Sequence, residues 1–141
     1  MIKLTEITMA TIKSYTDIEQ SCKLAVILPL ESADMEFAFL KKDNSIVFVV
    51  PFIKDGYEKP DCPYNMVPCW SLAALLEQLP YEICDDDGNS AHLSMYKEND
   101  QYQLIYKDEY GDFDDIETSV HEHFVDACVA MIEKLHKLNL L

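Results

Sequence analysis

A chain of 141 residues, 49% of them apolar, is long enough to bury a core without disulfides or metal, and too apolar for global disorder. Its 11 Lys and Arg stand against 26 Asp and Glu, a formal charge of −15. That charge repels phosphate backbones and anionic lipid surfaces, so it argues against direct binding of nucleic acid or membrane and suits a basic protein partner, nucleic-acid mimicry or plain solubility.

In chain order, MIKLTEITMA alternates weakly, as a strand or an extended arm. TDIEQSCKLAVIL predicts a helix near 17–28, capped by Thr16 or Asp17 and stopped by Pro29, with Ile18, Cys22, Ala25 and Val26 at helical spacing. ADMEFAFLKKDNSIVFVVPF predicts a hairpin: Met35, Phe37 and Phe39 alternate, KKDN turns, and Ile46–Val50 form a β-branched strand. That second strand is apolar on both faces, which predicts an inner position, with Pro51 at its end. Residues 54–68 carry one Gly and three Pro and read as a loop.

PCWSLAALLEQLP at 68–80 predicts a second helix. Ser71 is its N-cap, Leu72, Leu75, Leu76 and Leu79 form its stripe, and Pro80 ends it. Trp70 then lies at N′ and Leu75 at N4, the positions of a hydrophobic staple. Cys69 has no base near it in sequence, since residues 60–91 contain neither His nor Lys. CDDDGNS is a turn. AHLSMYKE and YQLIYKDE flank NDQ as a second hairpin, with Ala91, Leu93 and Met95 sharing a face of the first strand and Tyr102, Leu104 and Tyr106 sharing a face of the second. After the acidic loop YGDFDDIET, Ser119 and Glu122 match a capping box. A last helix near 120–138 carries Phe124, Cys128, Met131, Leu135 and Leu138, widened by Val125, Val129 and Ile132. This order of helix, hairpin, helix, hairpin, helix predicts one α+β domain over 1–141. Its expected form is a single antiparallel sheet of two hairpins packed with about three helices.

The five cysteines, odd in number and without C-x-x-C, read as free thiols of a reducing cytoplasm, with Cys22, Cys69 and Cys128 expected to be buried. The longest apolar run, LAVILPL, falls far short of the roughly 20 residues of a membrane span, and no signal-peptide pattern opens the chain. A soluble cytoplasmic protein is expected. His121-Glu122-His123 lacks a third ligand and is not H-E-x-x-H, and the acidic runs lack the EF-hand register. With no P-loop, G-x-G-x-x-G or G-x-S-x-G, the residues predict no catalytic group, cofactor or metal.

The acidic residues form two runs, Asp85-Asp86-Asp87 and Asp108–Glu117, on either side of the second hairpin. Antiparallel pairing closes the ends opposite a hairpin's turn, so the runs should converge. Asp85, Asp86, Asp87, Asp112, Asp114 and Asp115 are the candidate contact surface for a basic host or phage protein. The competing readings are a weak calcium site and a solvated surface. A different class, a small metal-dependent or hydrolytic enzyme, requires His92, His121 or His123 to meet carboxylates or Cys in one cleft. Tyr96, Tyr102, Tyr106 and Tyr110 around the second hairpin form either a contact patch or cross-strand packing.

Three segments, EQSCKLAVILPLESADMEF at 19–37, VPCWSLAALLEQLP at 67–80 and VDACVAMIEKLHKLNLL at 125–141, in this order resemble a family of small proteins of gut Bacteroidales genomes, often carried within prophages and other mobile elements. The family pattern runs E-Q-S-x-x-L, T-A-D-M, P-A-W-S-L-x-x-L-L-x-x-L-P and D-A-x-x-x-M-x-x-x-L. Ser32 stands here for the Thr and Cys69 for the Ala, which implies that no thiol is needed at 69. The resemblance implies the lineage of a mobile element and supplies no catalytic residue or cofactor.

Overall fold

The first helix begins where the chain supplies an acceptor for its free N–H groups. Asp17 accepts from Gln20 N (2.8 Å) and the Gln20 side chain accepts from Asp17 N (3.1 Å), a reciprocal capping box. The structure, a computed structural model, describes residues 12–42, 45–53 and 65–141, with side chains for 12–37 and 66–141. The weak alternation at 1–10, the centre of the KKDN turn and most of the 54–68 loop therefore lie outside the described residues.

Helix α1 spans Ile18–Leu24 and is shorter than its sequence pattern. Leu28 N still bonds to Leu24 O (2.8 Å), but 25–28 form a turn and Val26 is left exposed. The buried side is Ser21 and Leu24, so Cys22 points to solvent, contrary to the burial expected for it.

Strand β1 (Met35–Lys42) pairs antiparallel with β2 (Ser45–Ile53), the expected first hairpin. β1 also pairs with β3 (Asn65–Cys69), giving the order β2-β1-β3. Two expectations are corrected here. The end of the expected 54–68 loop, from Asn65, is strand, and among the described residues the inner strand is β1 rather than β2. Among the described residues β2 lies at an edge, and it runs on through Pro51, which pairs with Phe37: an edge strand tolerates a residue without an N–H. Helix α2 spans Leu72–Gln78 with Ser71 as N-cap, its Oγ accepting from Ala74 N at 3.2 Å.

The second hairpin is β5 (Ser90–Glu98) with β6 (Gln101–Lys107). Its turn residues Asn99 and Asp100 have φ of 51° and 59°, the left-handed pair of a two-residue type I′ turn whose twist matches the strands. Short strands β4 (Glu82–Cys84) and β7 (Ile116–Glu117) flank it in the order β4-β5-β6-β7. The fold is thus α+β, but among the described residues it has two antiparallel sheets and not the expected single one. β3 takes the free side of β1, β4 and β7 take both sides of the second hairpin, and among the described residues neither hairpin pairs with the other.

Helix α3 (Phe124–Lys137) starts four residues after the expected 120. Ser119 caps nothing; its Oγ lies 3.1 Å from His121 Nε2, and the N-cap position falls on His123, which makes no side-chain cap bond. Tyr102 and His121 exchange both backbone bonds (2.7 and 2.8 Å), and Thr118 does so with Leu104 through its N–H and hydroxyl. Residues 118–121 therefore ride along β6, and sheet pairing overrides the local capping signal. At the other end Leu140 N bonds to Leu135 O (2.9 Å) and Asn139 N to His136 O (3.1 Å), with Asn139 at φ 57°. This is a Schellman turn with Asn in the left-handed position. Leu138 is the C-cap residue before that turn, and its side chain is 50% exposed instead of buried.

The core lies between α3 and the inner face of the second sheet. Ala91, Leu104 and Tyr106 meet Val125, Cys128, Met131, Ile132 and Leu135, all fully buried, and Leu75, Trp70 and Leu24 continue the same cluster. Tyr106 is buried but not orphaned, because its hydroxyl donates to Pro80 O. Burial raises its pKa.

Asp126, on the outer side of α3, ties the helices together. Its Oδ1 accepts from Lys13 Nζ and Gln20 Nε2, both at 2.7 Å. Burial pushes its pKa up, but the bonds from Lys13 and Gln20 outweigh burial and hold it below the usual value. For Lys13, burial acts downward and the bonds to Asp126 and Asp17 raise it overall. The lowered Asp126 contributes fully above its unfolded pKa of about 3.9 and less as pH falls through its lower folded value. The raised Lys13 contributes below about 10.4 and less as pH rises through its folded value. Asp126→Asn is expected to cost about 1–2 kcal/mol at neutral pH, and to flatten the loss of stability below about pH 4. Denaturant melts of both proteins across pH test this; parallel acid limbs would contradict it.

Candidate functional site: an acidic depression beside the second sheet

The residues of the three resembling segments meet in the structure, and what they make is a seam of hydrogen bonds. Gln20 reaches Asp126. Ser21 Oγ is 2.8 Å from Thr16 Oγ1, which accepts from Trp70 N at 3.1 Å. The Trp70 indole donates to Ser32 Oγ at 2.9 Å. Asp34 accepts from Ser71 N at 2.9 Å and from the Ser71 hydroxyl. The ESAD segment thus orients the Trp-Ser pair that starts α2, and Thr at position 32 would supply the same oxygen. Cys69 is buried in this seam beside Thr16; burial raises its pKa, and hydrogen bonds from Thr16 and Ser21 act against that. Burial pushes Cys128 up to about 12. Neither thiol is poised as a thiolate nucleophile.

His92 and His121 lie in different depressions, each beside carboxylates, and His92 shares one of about 700 Å³ with Asp108 and Glu109. His92 Nε2 lies 3.8 Å from Glu82 Oε2, and its ring packs on Tyr81 with centroids 5.1 Å apart. His121 shares a shallow depression with Asp126, which is already held by Lys13 and Gln20. Among the described residues no group of three His, Cys, Asp or Glu is placed to hold a metal ion. The tyrosines divide. Tyr106 is core, and Tyr102 stacks on Phe124 with centroids 5.3 Å apart, while Tyr96 and Tyr110 are exposed.

The two acidic runs fold alike. Asp85 accepts from Asp87 N (3.0 Å) and Asn89 N (2.8 Å) through Oδ1, and from Asn89 Nδ2 (3.0 Å) through Oδ2. Asp108 accepts from Tyr110 N (2.9 Å), Asp112 N (3.1 Å) and Phe113 N (3.0 Å). The third residue after each Asp is a glycine, Gly88 at φ 85° and Gly111 at φ 75°, whose left-handed backbone an L side chain resists. D-D-D-G-N and D-E-Y-G-D are therefore one turn used twice, with the first Asp consumed in building it. The bonds from Asn89, side chain first, hold the Asp85 pKa below the usual range.

With the first Asp spent, the following carboxylates face water. Asp85, Asp86, Asp112 and Asp114 line one depression of about 550 Å³. Asp87 and Asp115 are exposed but do not line it. Its floor holds Phe113 and Ile116, with Leu138 and Leu140 contributed by the Schellman turn. These C-terminal leucines were not foreseen in the site, because helical periodicity places Leu138 in the core; Asn139 is the one local signal that the helix ends there. Among the described residues no helix is long and apolar enough to cross a membrane. No family model, curated protein or solved structure matches the chain. Fold and site define an α+β protein with a carboxylate-rimmed surface depression.

Proposed function

We propose that this is a non-enzymatic accessory protein of a phage or other mobile element, acting in the cytoplasm by contact with a basic host or phage protein. The observation that carries the reading is the meeting of Asp85 and Asp86 with Asp112 and Asp114 at one depression. The excess of 26 acidic over 11 basic residues supports it, by steering a cationic partner and repelling nucleic acid. Cys69 and Cys128 are buried, and among the described residues no thiol lines the depressions that hold His92 and His121, which favours binding over catalysis. The lineage rests on the three resembling segments.

The test is salt-dependent binding to basic DNA-binding proteins of the host, comparing wild type with the variant Asp86→Asn, Asp112→Asn, Asp114→Asn. Wild type is expected to bind with an affinity that falls steeply with salt, and the variant more weakly by about tenfold or more. Equal binding by the two, or binding by neither, contradicts the reading.

A further inference from the structure

The acidic depression differs from a plain charged surface in having an apolar floor. Phe113 and Ile116 are each only 8% exposed beneath it, while Leu138 is 50% exposed at its side. Among the described residues no Lys, Arg or His lines it. The rim carboxylates do not focus on a point, since no three acidic, His or Cys side chains among the described residues can hold a metal ion. Charge spread around an apolar floor suits long cationic side chains, whose stems are apolar and whose heads are hydrogen-bond donors, better than a bare ion.

Resting on the reading that this surface contacts a basic protein, we propose that the depression takes an amphipathic basic segment of that partner. An apolar side chain and the methylene stems of Arg or Lys lie on the floor of Phe113, Ile116, Leu138 and Leu140. The cationic heads reach Asp86, Asp112 and Asp114, because Asp85 has committed both oxygens to its own turn. Arg is favoured over Lys, as its planar donors match a carboxylate two at a time. The leucines are fixed by the Schellman turn and the carboxylates by the two Asp-Gly turns, so the surface is formed before the partner arrives.

The test uses the full chain and three short synthetic peptides at about 0.15 M salt. The first carries Arg and Leu on one helical face. The second has Ser for every Leu, and the third has Glu for every Arg. Binding is read by fluorescence anisotropy against wild type, the variant L138Q, and the triple variant with Asn at 86, 112 and 114. L138Q changes a half-exposed side chain, and a matching thermal melt confirms its fold. The Arg/Leu peptide is expected to bind wild type; the Ser peptide and L138Q each weaken binding by about three- to tenfold, and the triple variant by about tenfold or more. If the Ser peptide and L138Q bind as tightly as the reference while the triple variant fails, the floor has no role and this inference falls, although the acidic contact stands. If the triple variant matches wild type, if the Glu peptide binds equally, or if the Arg/Leu peptide does not bind, the acidic-contact reading falls and takes this inference with it.

Discussion

Trp70→Ala is expected to destabilise the protein by about 3–5 kcal/mol, the range for truncating a fully buried large aromatic side chain. Trp70 is 0% exposed and shares its cluster with Leu75, the residue at N4 of α2. The backbone bonds of residue 70 to Thr16 do not depend on the side chain, so the loss comes from the ring. It comprises the cavity, the apolar area returned to water and the bond to Ser32. Trp70→Phe separates these contributions, since it keeps most of the volume and removes the indole N–H; about 1–2 kcal/mol is expected for it. Urea unfolding at unchanged slope measures both. As Trp70 is the single tryptophan, its emission reports directly: blue in the native state, red-shifted on unfolding. A solvent-like native emission, or a cost for Trp70→Ala below about 1 kcal/mol, contradicts the burial described.

Thr16→Val is expected to cost about 2–4 kcal/mol, although it changes the shape of the side chain little. Thr16 is 0% exposed, and its hydroxyl oxygen accepts from Trp70 N and lies 2.8 Å from Ser21 Oγ. Valine leaves both of those buried groups without that partner, and each buried polar group left unpaired costs on the order of 1–3 kcal/mol. The double variant Thr16→Val, Ser21→Ala removes one of the two orphans and should recover part of the loss. A double-mutant cycle in urea gives the coupling, expected at about 0.5–3 kcal/mol for groups in one network. Additive effects would show that the seam is not a network.

The parts of this fold that could be read in advance are those whose local signals agree with their surroundings. Leu72–Gln78 begins at Ser71 as its sequence states, because the N-cap oxygen, the Trp at N′ and the leucine stripe all point to the same start. The Asn99-Asp100 turn lies between two alternating runs, so hairpin and register follow together. Ser119 shows the opposite case. It carries a capping pattern, but Thr118 and His121 are held to β6 by backbone bonds, and tertiary pairing moves the helix start to Phe124. Strands β4 and β7, of three and two residues, are too short to show a period, and both exist only because β5 and β6 offer them an edge.

The acidic site divides in the same way. The approach of the two carboxylate runs follows from antiparallel pairing, a property of any hairpin. Which carboxylates stay free does not, because the same residue type plays two parts. Asp85 and Asp108 are turn acceptors, while Asp86, Asp112 and Asp114 face the depression. The floor was hidden because helical spacing puts Leu138 on the core stripe, whereas it is a half-exposed C-cap residue, and Asn139 at φ 57° carries the chain on to Leu140. The first two resembling segments and the start of the third, in turn, take their place in the seam around Thr16, Trp70 and Asp126, which stabilises the helices, whereas the end of the third supplies Leu138 and Leu140 to the depression.

The most direct measurement of the proposed division between a structural seam and an acidic contact is a backbone amide shift map of the ¹⁵N-labelled protein titrated with the Arg/Leu peptide. Perturbed amides are predicted to cluster at residues 84–87, 112–116 and 138–140, with those of Thr16, Ser21 and Trp70 unmoved. Shifts centred on the Thr16–Trp70 seam, or scattered evenly over the acidic surface, would contradict it.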